Sequence, residues 1–443
     1  MGQLLGPDFP SDIALAVSGG GDSMAMLTLA HNWTRVWGVR LWVVTVDHGL
    51  RPESADEAAF VAEEVRALGH PHATLRWHWD GQGNVQDAAR HARLSLIDRW
   101  RAGLDHVLMA HTQDDVAETF LMRLKRGSGV DGLSAMRARR RVVPHVGTPP
   151  ALPDADVTQT QAPPMRGAAA TPGFDVIRPC LDMRRAELRH YLRTLKGRWV
   201  EDPSNDDPAF GRVQMRQALS VLEEAGLSVA SLTRTADRMR RASDALRARA
   251  VEAWRALQPE DAGQMHRTGD VSFDRTGFER VEPETQLRLL AAALQYVSTN
   301  AYRPRADPLQ AVLERVLAGG AGTLHGCEVR ADGAQLRILR EFQAVAALQT
   351  RAGDARLWDG RWQVVNPDMQ GLTVRALGED GWAQCPDRGV DTPAFHAARA
   401  LPSIWDGAKL VACDAMGVGP GGTMRLCPMG RDLPGFEGFL LSH

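Results

Sequence analysis

Six consecutive residues, Ser18-Gly19-Gly20-Gly21-Asp22-Ser23, bring together the groups needed to hold a polyphosphate. Successive glycines let the main chain approach a ligand closely, so that backbone N–H groups wrap phosphate oxygens. The two serines add hydroxyl donors, and Asp22 is placed to hold a magnesium ion on the phosphates. The simpler alternative is a glycine turn ending in a Ser or Asp N-cap, but three glycines between two serines exceed what a turn requires. The stretch is not a Walker loop, which ends in Gly-Lys-Ser/Thr. Here Lys125 precedes Arg, Lys196 precedes Gly and Lys409 precedes Leu.

Asp115 and Glu118 form a second candidate group. Three positions apart on a helix, they share a face; a solvated acidic helix start, favoured by the dipole, is the alternative. Arg212 and Arg216 are four apart and project from one side of a helix, where a guanidinium can fork onto a phosphate or bridge to a carboxylate. Asp47 follows a buried run, placed either to contact a nucleotide or simply to end its strand.

These residues need elements to position them. Residues 13–17 are a continuous apolar run that ends at the glycine cluster, and Met24, Leu27 and Thr28 follow at helical spacing. Residues 41–46 form a second buried run, and Val61, Val65 and Leu68 give a helical stripe. An alternating stretch at 73–79, a helix at 84–100, a buried run at 107–110 and a helix bearing Val116, Phe120 and Leu124 complete the pattern. Strand and helix alternating over such spans predict an α/β, Rossmann-like, doubly wound parallel sheet. In such sheets ligands sit beyond the carboxyl ends of strands, where both polar clusters lie.

The alternation predicts a first domain over 1–219. Within it, the Pro-rich segment 148–172 reads as a flexible insertion. Residues 220–350 read as a separate helical domain, and 351–443, with short β-like runs, as a small α+β domain. Length agrees with two or three domains. Five scattered cysteines give neither a disulfide framework nor a CxxC knuckle, and no HExxH pattern supplies a structural metal. No apolar run approaches a membrane span, and the first ten residues lack signal-peptide character, so a cytoplasmic location is expected. The net charge of −2 says little about partners. Arginine-rich stretches at 137–141, 184–198 and 234–249 fit either a nucleic-acid surface or a chain that prefers Arg, since its only lysines are Lys125, Lys196 and Lys409.

The glycine stretch resembles the SGGxDS loop of the N-type ATP pyrophosphatases (PP-loop), which release pyrophosphate and transfer AMP to a substrate oxygen. Further segments resemble one branch of that superfamily, the tRNA(Ile)-lysidine synthases. They are Asp47-His48-Gly49-Leu50-Arg51, then 110–119 with Asp114-Asp115 and Glu118-Thr119, and Lys125-Arg126-Gly127-Ser128-Gly129. Arg178-Pro179, Glu201-Asp202-Pro203-Ser204-Asn205 and Phe210-x-Arg212-x-x-x-Arg216 come next in order, and Leu401 to Gly407 extends the likeness weakly to the C-terminal domain. Thr112 stands where the family usually has a second His, and Val213-Gln214 interrupts its common Arg-Asn.

The resemblance implies a two-step reaction on tRNA(Ile) with a CAU anticodon, using ATP and Mg2+. The O2 of the wobble cytidine attacks the α-phosphate, and the side-chain amine of free L-lysine then displaces AMP at C2. It gives catalytic roles to Asp22, Asp115 and Arg212, nucleotide contacts to residues 18–23 and Asp47, and the lysine ammonium groups to Asp115 and Glu118. Arg90 and Arg93 become candidates for the lysine carboxylate, with plain solvent-facing helix arginines as the alternative. Arg212 and Arg216, with the two later domains, would meet the tRNA. The oligomeric state is left open, a homodimer included. Two rivals stand: a tRNA cytidine thiolase, whose usual paired cysteines are missing here, and a non-catalytic protein, either a nucleotide-binding electron-transfer module or a bare RNA binder, the latter having no need of the 18–23 loop.

Overall fold

The computed structural model describes residues 1–79, 81, 83–143, 145–146, 152–165, 173–201, 211–259, 265–385 and 392–442. Two compact units share the chain: Met1–Pro144 with Pro149–Ser243, and His145–Thr148 with Asp244–His443. No described helix is long and apolar enough to cross a membrane.

In the first unit a short helix α1 (Gly2–Leu5) precedes β1 (Asp12–Ala16), α2 (Gly21–Trp37), β2 (Arg40–Asp47) and α3 (Ser54–Ala67). Then come β3 (His72–Arg76), α4 (Val85–Trp100), β4 (His106–Met109), α5 (Gln113–Lys125), α6 (Val130–Leu133), β5 (Arg139–Val142) and β6 (Val157–Gln159). The unit closes with β7 (Phe174–Ile177), α7 (Arg185–Thr194), α8 (Gly211–Glu224) and the start of α9 (Val229–Leu257). The seven strands lie in the order β5-β7-β4-β1-β2-β3-β6. The inner five are parallel; β5 and β6 pair antiparallel to β7 and β3.

Alternation along each strand builds a core on either face. Ile13 and Leu15 join Leu41, Val43, Leu108 and Ile177 beneath α2, α3 and α7. Ala14 joins Trp42, Val44, Ala73, Val107 and Val176 on the other side, beneath α4. Strands buried on both faces must be apolar throughout, which is why they read as continuous runs.

Three expectations need correction. The first unit does not stop at 219: Leu219, Val229, Leu232 and Ala236 of α8 and α9 pack on Val116, Ala117 and Phe120 of α5, so it reaches Ser243. The Pro-rich segment is not simply a flexible insertion. Its described part supplies β6, buries Leu152 in the core under α4, and accepts the Gly103 N–H at the Pro164 carbonyl, 2.8 Å. The open edge of β3 wants backbone partners, which any composition can offer.

The third correction is in the second unit. Residues 271–340 are not helical alone. They carry an antiparallel sheet of β8 (Val271–Asp274), β9 (Ala321–Leu324), β10 (Cys327–Asp332) and β11 (Gln335–Arg340) in the order β8-β11-β10-β9. It packs with the helices Pro283–Ser298 and Ala306–Leu317. Phe436 and Phe439, from the last helix Gly435–Ser442, enter this same core, while Leu377, Leu401, Trp405 and Met416 belong to a separate one built wholly from residues beyond 350. Further short strands, β12 (Gln349–Arg351), β13 (Trp362–Val364), β14 (Thr373–Ala376), β15 (Pro402–Asp406), β16 (Lys409–Ala412) and β17 (Met424–Leu426), form two small antiparallel sheets.

Candidate active site

The glycine loop leaves β1 with the Val17 N–H still donating to the Val44 carbonyl at 2.9 Å. Gly19 then turns the chain at φ 86°, a left-handed conformation that side chains disfavour. The Val200 N–H holds the Gly19 carbonyl at 2.9 Å. Ser23 closes the loop: its hydroxyl donates to the Gly20 carbonyl (2.9 Å) and accepts the Ser18 N–H (3.2 Å). Gly20 begins α2 with no side-chain cap, so the helix presents its first N–H groups without a competing carboxylate. Gly21 lies against Arg189 and Trp199, an added Cβ meeting both at ordinary contact distance.

Beyond β4 the chain enters α5 through Thr112, which is fully buried. Its hydroxyl accepts the Asp115 N–H (3.4 Å) and donates to Asp115 Oδ2 (2.9 Å), while the Thr112 N–H donates to the same oxygen at 2.8 Å. Thr112, where the family usually has its second His, is therefore the N-cap of α5 and fixes the Asp115 rotamer. Asp114, next to it, accepts the Arg185 backbone N–H at 2.7 Å and the Arg184 guanidinium at 3.2 Å. The starts of α5 and α7 are thereby tied together, and the Arg185 side chain is aimed at the carboxylates.

There it meets three of them. Arg185 donates from Nε to Asp22 Oδ2 (3.0 Å), from Nη2 to Asp115 Oδ1 (3.1 Å) and from Nη1 to Glu118 Oε1 (2.9 Å). Arg216 adds a bond from its Nε to Glu118 Oε1 at 3.1 Å, the carboxylate-bridging alternative for this residue. Within this cluster, Asp22 Oδ1 and Glu118 Oε2 are buried and have no hydrogen-bond partner among the described residues. Burial pushes the Asp22 carboxyl above its usual range, against the pull of Arg185. Burial acts on Asp115 in the same sense, but Arg185 and the Thr112 N–H outweigh it and hold this carboxyl below the usual range. Burial beside Arg178 keeps His111 neutral, its pKa lowered to about 4.

The structure thus brings Ser18, Gly19, Gly20, Gly21, Asp22, Ser23, Asp115, Glu118 and Arg216 into one constellation, and Arg212 lies within electrostatic reach of Asp115 and His111. Asp47 turns back on its own chain: its Oδ1 accepts the Gly49 N–H at 2.9 Å, the strand-ending alternative. Arg90 and Arg93 lie on α4 and make no hydrogen bond to the acidic cluster among the described residues, though Arg93, which reaches the His48 ring at 3.4 Å, lies within electrostatic reach of Arg212 and His111. Of the motif beyond α7, residues 202–210 lie outside the described residues. Arg185, the centre of the cluster, was missed. Glu187, whose Oε2 accepts the Arg184 N–H at 2.7 Å, marks the helix start, but nothing in the local sequence points Arg185 at residues 67 to 163 positions away.

Among the described residues no group of three or more Asp, Glu, His or Cys side chains forms a metal cage. Magnesium held by one carboxylate and substrate phosphates needs none, and the unpartnered Asp22 Oδ1 beside the loop fits that demand.

A parallel sheet with an uncapped, glycine-rich loop at its carboxyl edge and an acid pair facing it is the architecture of a PP-loop nucleotide enzyme, and residues 1–223 match the family model described as PP-loop domain. The tRNA(Ile)-lysidine synthase of Ruegeria pomeroyi is 38% identical, covering 98% of this chain and 95% of its own. That of Wolbachia pipientis wMel is 31% identical (83% and 79%), and that of a Bradyrhizobium sp. 39% identical (69% and 80%). The chain belongs to the tRNA(Ile)-lysidine synthase family. Among solved structures, a U34-tRNA thiolase from Methanococcus maripaludis with its [4Fe-4S] cluster aligns with 54% of this chain and 76% of that one, at 16% identity and a TM-score of 0.39.

Proposed function

We propose that this protein, working in the cytoplasm, uses ATP to join free lysine to C2 of the wobble cytidine of a CAU-anticodon tRNA(Ile). The observation that carries the reading is the meeting of a phosphate-binding loop and a two-carboxylate face, Asp115 and Glu118, at one end of the sheet. The backbone N–H groups at the start of α2 bind the ATP phosphates, and Ser18 and Ser23 turn their hydroxyls from the loop to the ligand. Asp22 would hold magnesium through Oδ1; the ion supplies charge neutralisation on the phosphates.

In the first step the cytidine O2 forms a bond to the α-phosphorus and the α–β bridging bond breaks, releasing pyrophosphate. In the second, the lysine side-chain amine forms a bond to C2, the C2–O2 bond breaks, AMP leaves and the nitrogen gives up its extra proton. Asp115 and Glu118 receive the ammonium groups of lysine and orient the molecule. Arg212 and Arg216 face the RNA or its adenylated base, where a guanidinium binds phosphate at any working pH. An unpaired anticodon base can be splayed out to reach such a site.

The test is incubation of the protein with ATP, magnesium, radiolabelled lysine and a tRNA(Ile) transcript with a CAU anticodon. Lysine is expected to enter the RNA in step with AMP and pyrophosphate release, and to fail with a transcript carrying uridine at the wobble position. Pyrophosphate release without lysine incorporation would reject the reading.

A further inference from the structure

The three nitrogens of the Arg185 guanidinium each hold a different carboxylate. On the function proposed above, every one of those carboxylates has another cation to bind: magnesium at Asp22, lysine ammonium at Asp115 and Glu118. Arg185 thus occupies the positions of both incoming cations. Its side chain is only 16% exposed and α7 is anchored through Asp114, so the contact is a built one.

Two guanidinium groups already answer the charge of the acid pair. Both oxygens of Asp115 already hold donors, Oδ2 two from Thr112 and Oδ1 one from Arg185. Glu118 Oε1 holds Arg185 and Arg216 together. An ammonium has three donors to place, and Glu118 Oε2 is the one unpartnered oxygen of this acid pair. Lysine therefore meets a face whose charge is already answered. ATP changes this balance. Its phosphates would lie on the loop that begins α2, beside Asp22, and a guanidinium forks onto phosphate at least as well as onto carboxylate. Magnesium at Asp22 removes one of the three holds on Arg185 at the same time.

We infer that Arg185 is an exchange residue that enforces substrate order: it neutralises the acid cluster of the empty enzyme, passes to the phosphates when ATP and magnesium arrive, and only then frees Asp115 and Glu118 for lysine. The order matches the chemistry, in which the amine has no electrophile until the cytidine is adenylated. It makes Arg185 a positioning residue in the second step and a phosphate contact in the first. A guanidinium that leaves a carboxylate only for a stronger anion also discriminates: free lysine does not fill the site alone.

The experiment is calorimetric titration of lysine into the full-length protein, without nucleotide and with magnesium and α,β-methylene ATP, in which the bond to be cleaved is blocked. Lysine is expected to bind at least about tenfold more tightly with the nucleotide present. By linkage, lysine must tighten the nucleotide by the same factor, an independent check. In Arg185→Gln the coupling should vanish, with lysine affinity in the absence of nucleotide rising to that of the nucleotide-bound wild type. Arg185→Lys, which keeps the charge but not the three-way fork, should show coupling between the two. A merely structural Arg185 would lower both affinities and leave their coupling untouched. Equal lysine affinity with and without nucleotide in the wild type overturns the proposal even if Arg185→Gln fails to fold, and so does coupling that survives in a folded Arg185→Gln. Lysine that binds in neither state overturns the functional reading itself, and the exchange with it.

Discussion

Asp359 in the second unit and Asp22 in the first are both carboxylates beneath guanidinium groups, and they differ in what is left over. Asp359, its side chain 3% exposed, takes Arg340 Nε on both oxygens, Arg340 Nη2 on Oδ1 and Arg361 Nε on Oδ2, all at 2.8–3.2 Å. The same arginines spend Nη1 on the Gly326 and Gly269 carbonyls, each at 2.6 Å. That cluster is closed. Around Asp22 one guanidinium is spread over three carboxylates, and Asp22 and Glu118 each keep a buried oxygen without a partner. A saturated ion cluster is architecture; an unsaturated one has valence for a ligand, and an unmet buried acceptor is costly enough to require a reason.

Removing the carboxylate from the closed cluster should do the most damage. Asp359→Ala leaves Arg340 and Arg361 without their counter-charge and should cost roughly 3–5 kcal/mol of stability, read from the denaturant midpoint of the second unit's unfolding. A loss below about 1 kcal/mol would erase the distinction between the clusters. Asp22→Ala should do the reverse, keeping the circular dichroism spectrum while pyrophosphate release falls about a hundred- to a thousandfold. Normal pyrophosphate release by the folded variant would show that Asp22 is not needed at the phosphates.

Acid should act through buried histidines of the first unit. His72 on β3 is buried, its Nε2 3.0 Å from the Thr45 hydroxyl, and burial lowers its pKa to about 4. In the unfolded chain His72 takes up its proton near pH 6.5, so its contribution is present above that pH and lost as pH falls toward 4. Between pH 7 and pH 4.5 the loss from this one group should reach roughly 2–3 kcal/mol. His72→Gln should shrink the pH dependence of unfolding by that amount; an unchanged dependence would place the acid sensitivity elsewhere. The smallest effect sharpens the open cluster itself. Glu118→Gln should raise the Michaelis constant for lysine roughly ten- to a hundredfold, the loss of one charge-assisted contact, and move that for ATP much less. Equal shifts would separate Glu118 from lysine.

The open cluster was only half legible in the sequence. Residues 18–23 declared themselves because glycine is favoured where the chain turns with positive φ at Gly19, and Asp115 and Glu118 because a helix fixes the spacing of its face. Arg185 did not, because it is one of two adjacent arginines in a basic stretch. Its neighbour Arg184 turns to Asp114 and Glu223 instead. Which of the two reaches the site is decided by how α7 docks, a tertiary fact. The parallel sheet was legible because burial on both faces leaves its mark in unbroken apolar runs. The β10–β11 hairpin had a signal that went unread: Gly333 with positive φ heads a two-residue loop between Asp332 and Gln335, flanked by alternating buried Val329, Leu336 and Ile338. Strand β6 had almost none, since three residues pairing through their backbones need no particular side chains.

Seen from the ribosome, β6 is a question of timing. By residue 109 the strands β1 to β4 have all been synthesised, yet both borders of that nascent sheet are bare: β3 waits for Val157–Gln159 and β4 for Phe174–Ile177. At about 5–20 residues per second, the interval lasts several seconds. During it, neighbouring ribosomes on one message carry identical unpaired strands side by side, the arrangement in which edges pair between chains. The Pro-rich stretch shortens that exposure on one border, because its three-residue strand arrives before the central partner of β4.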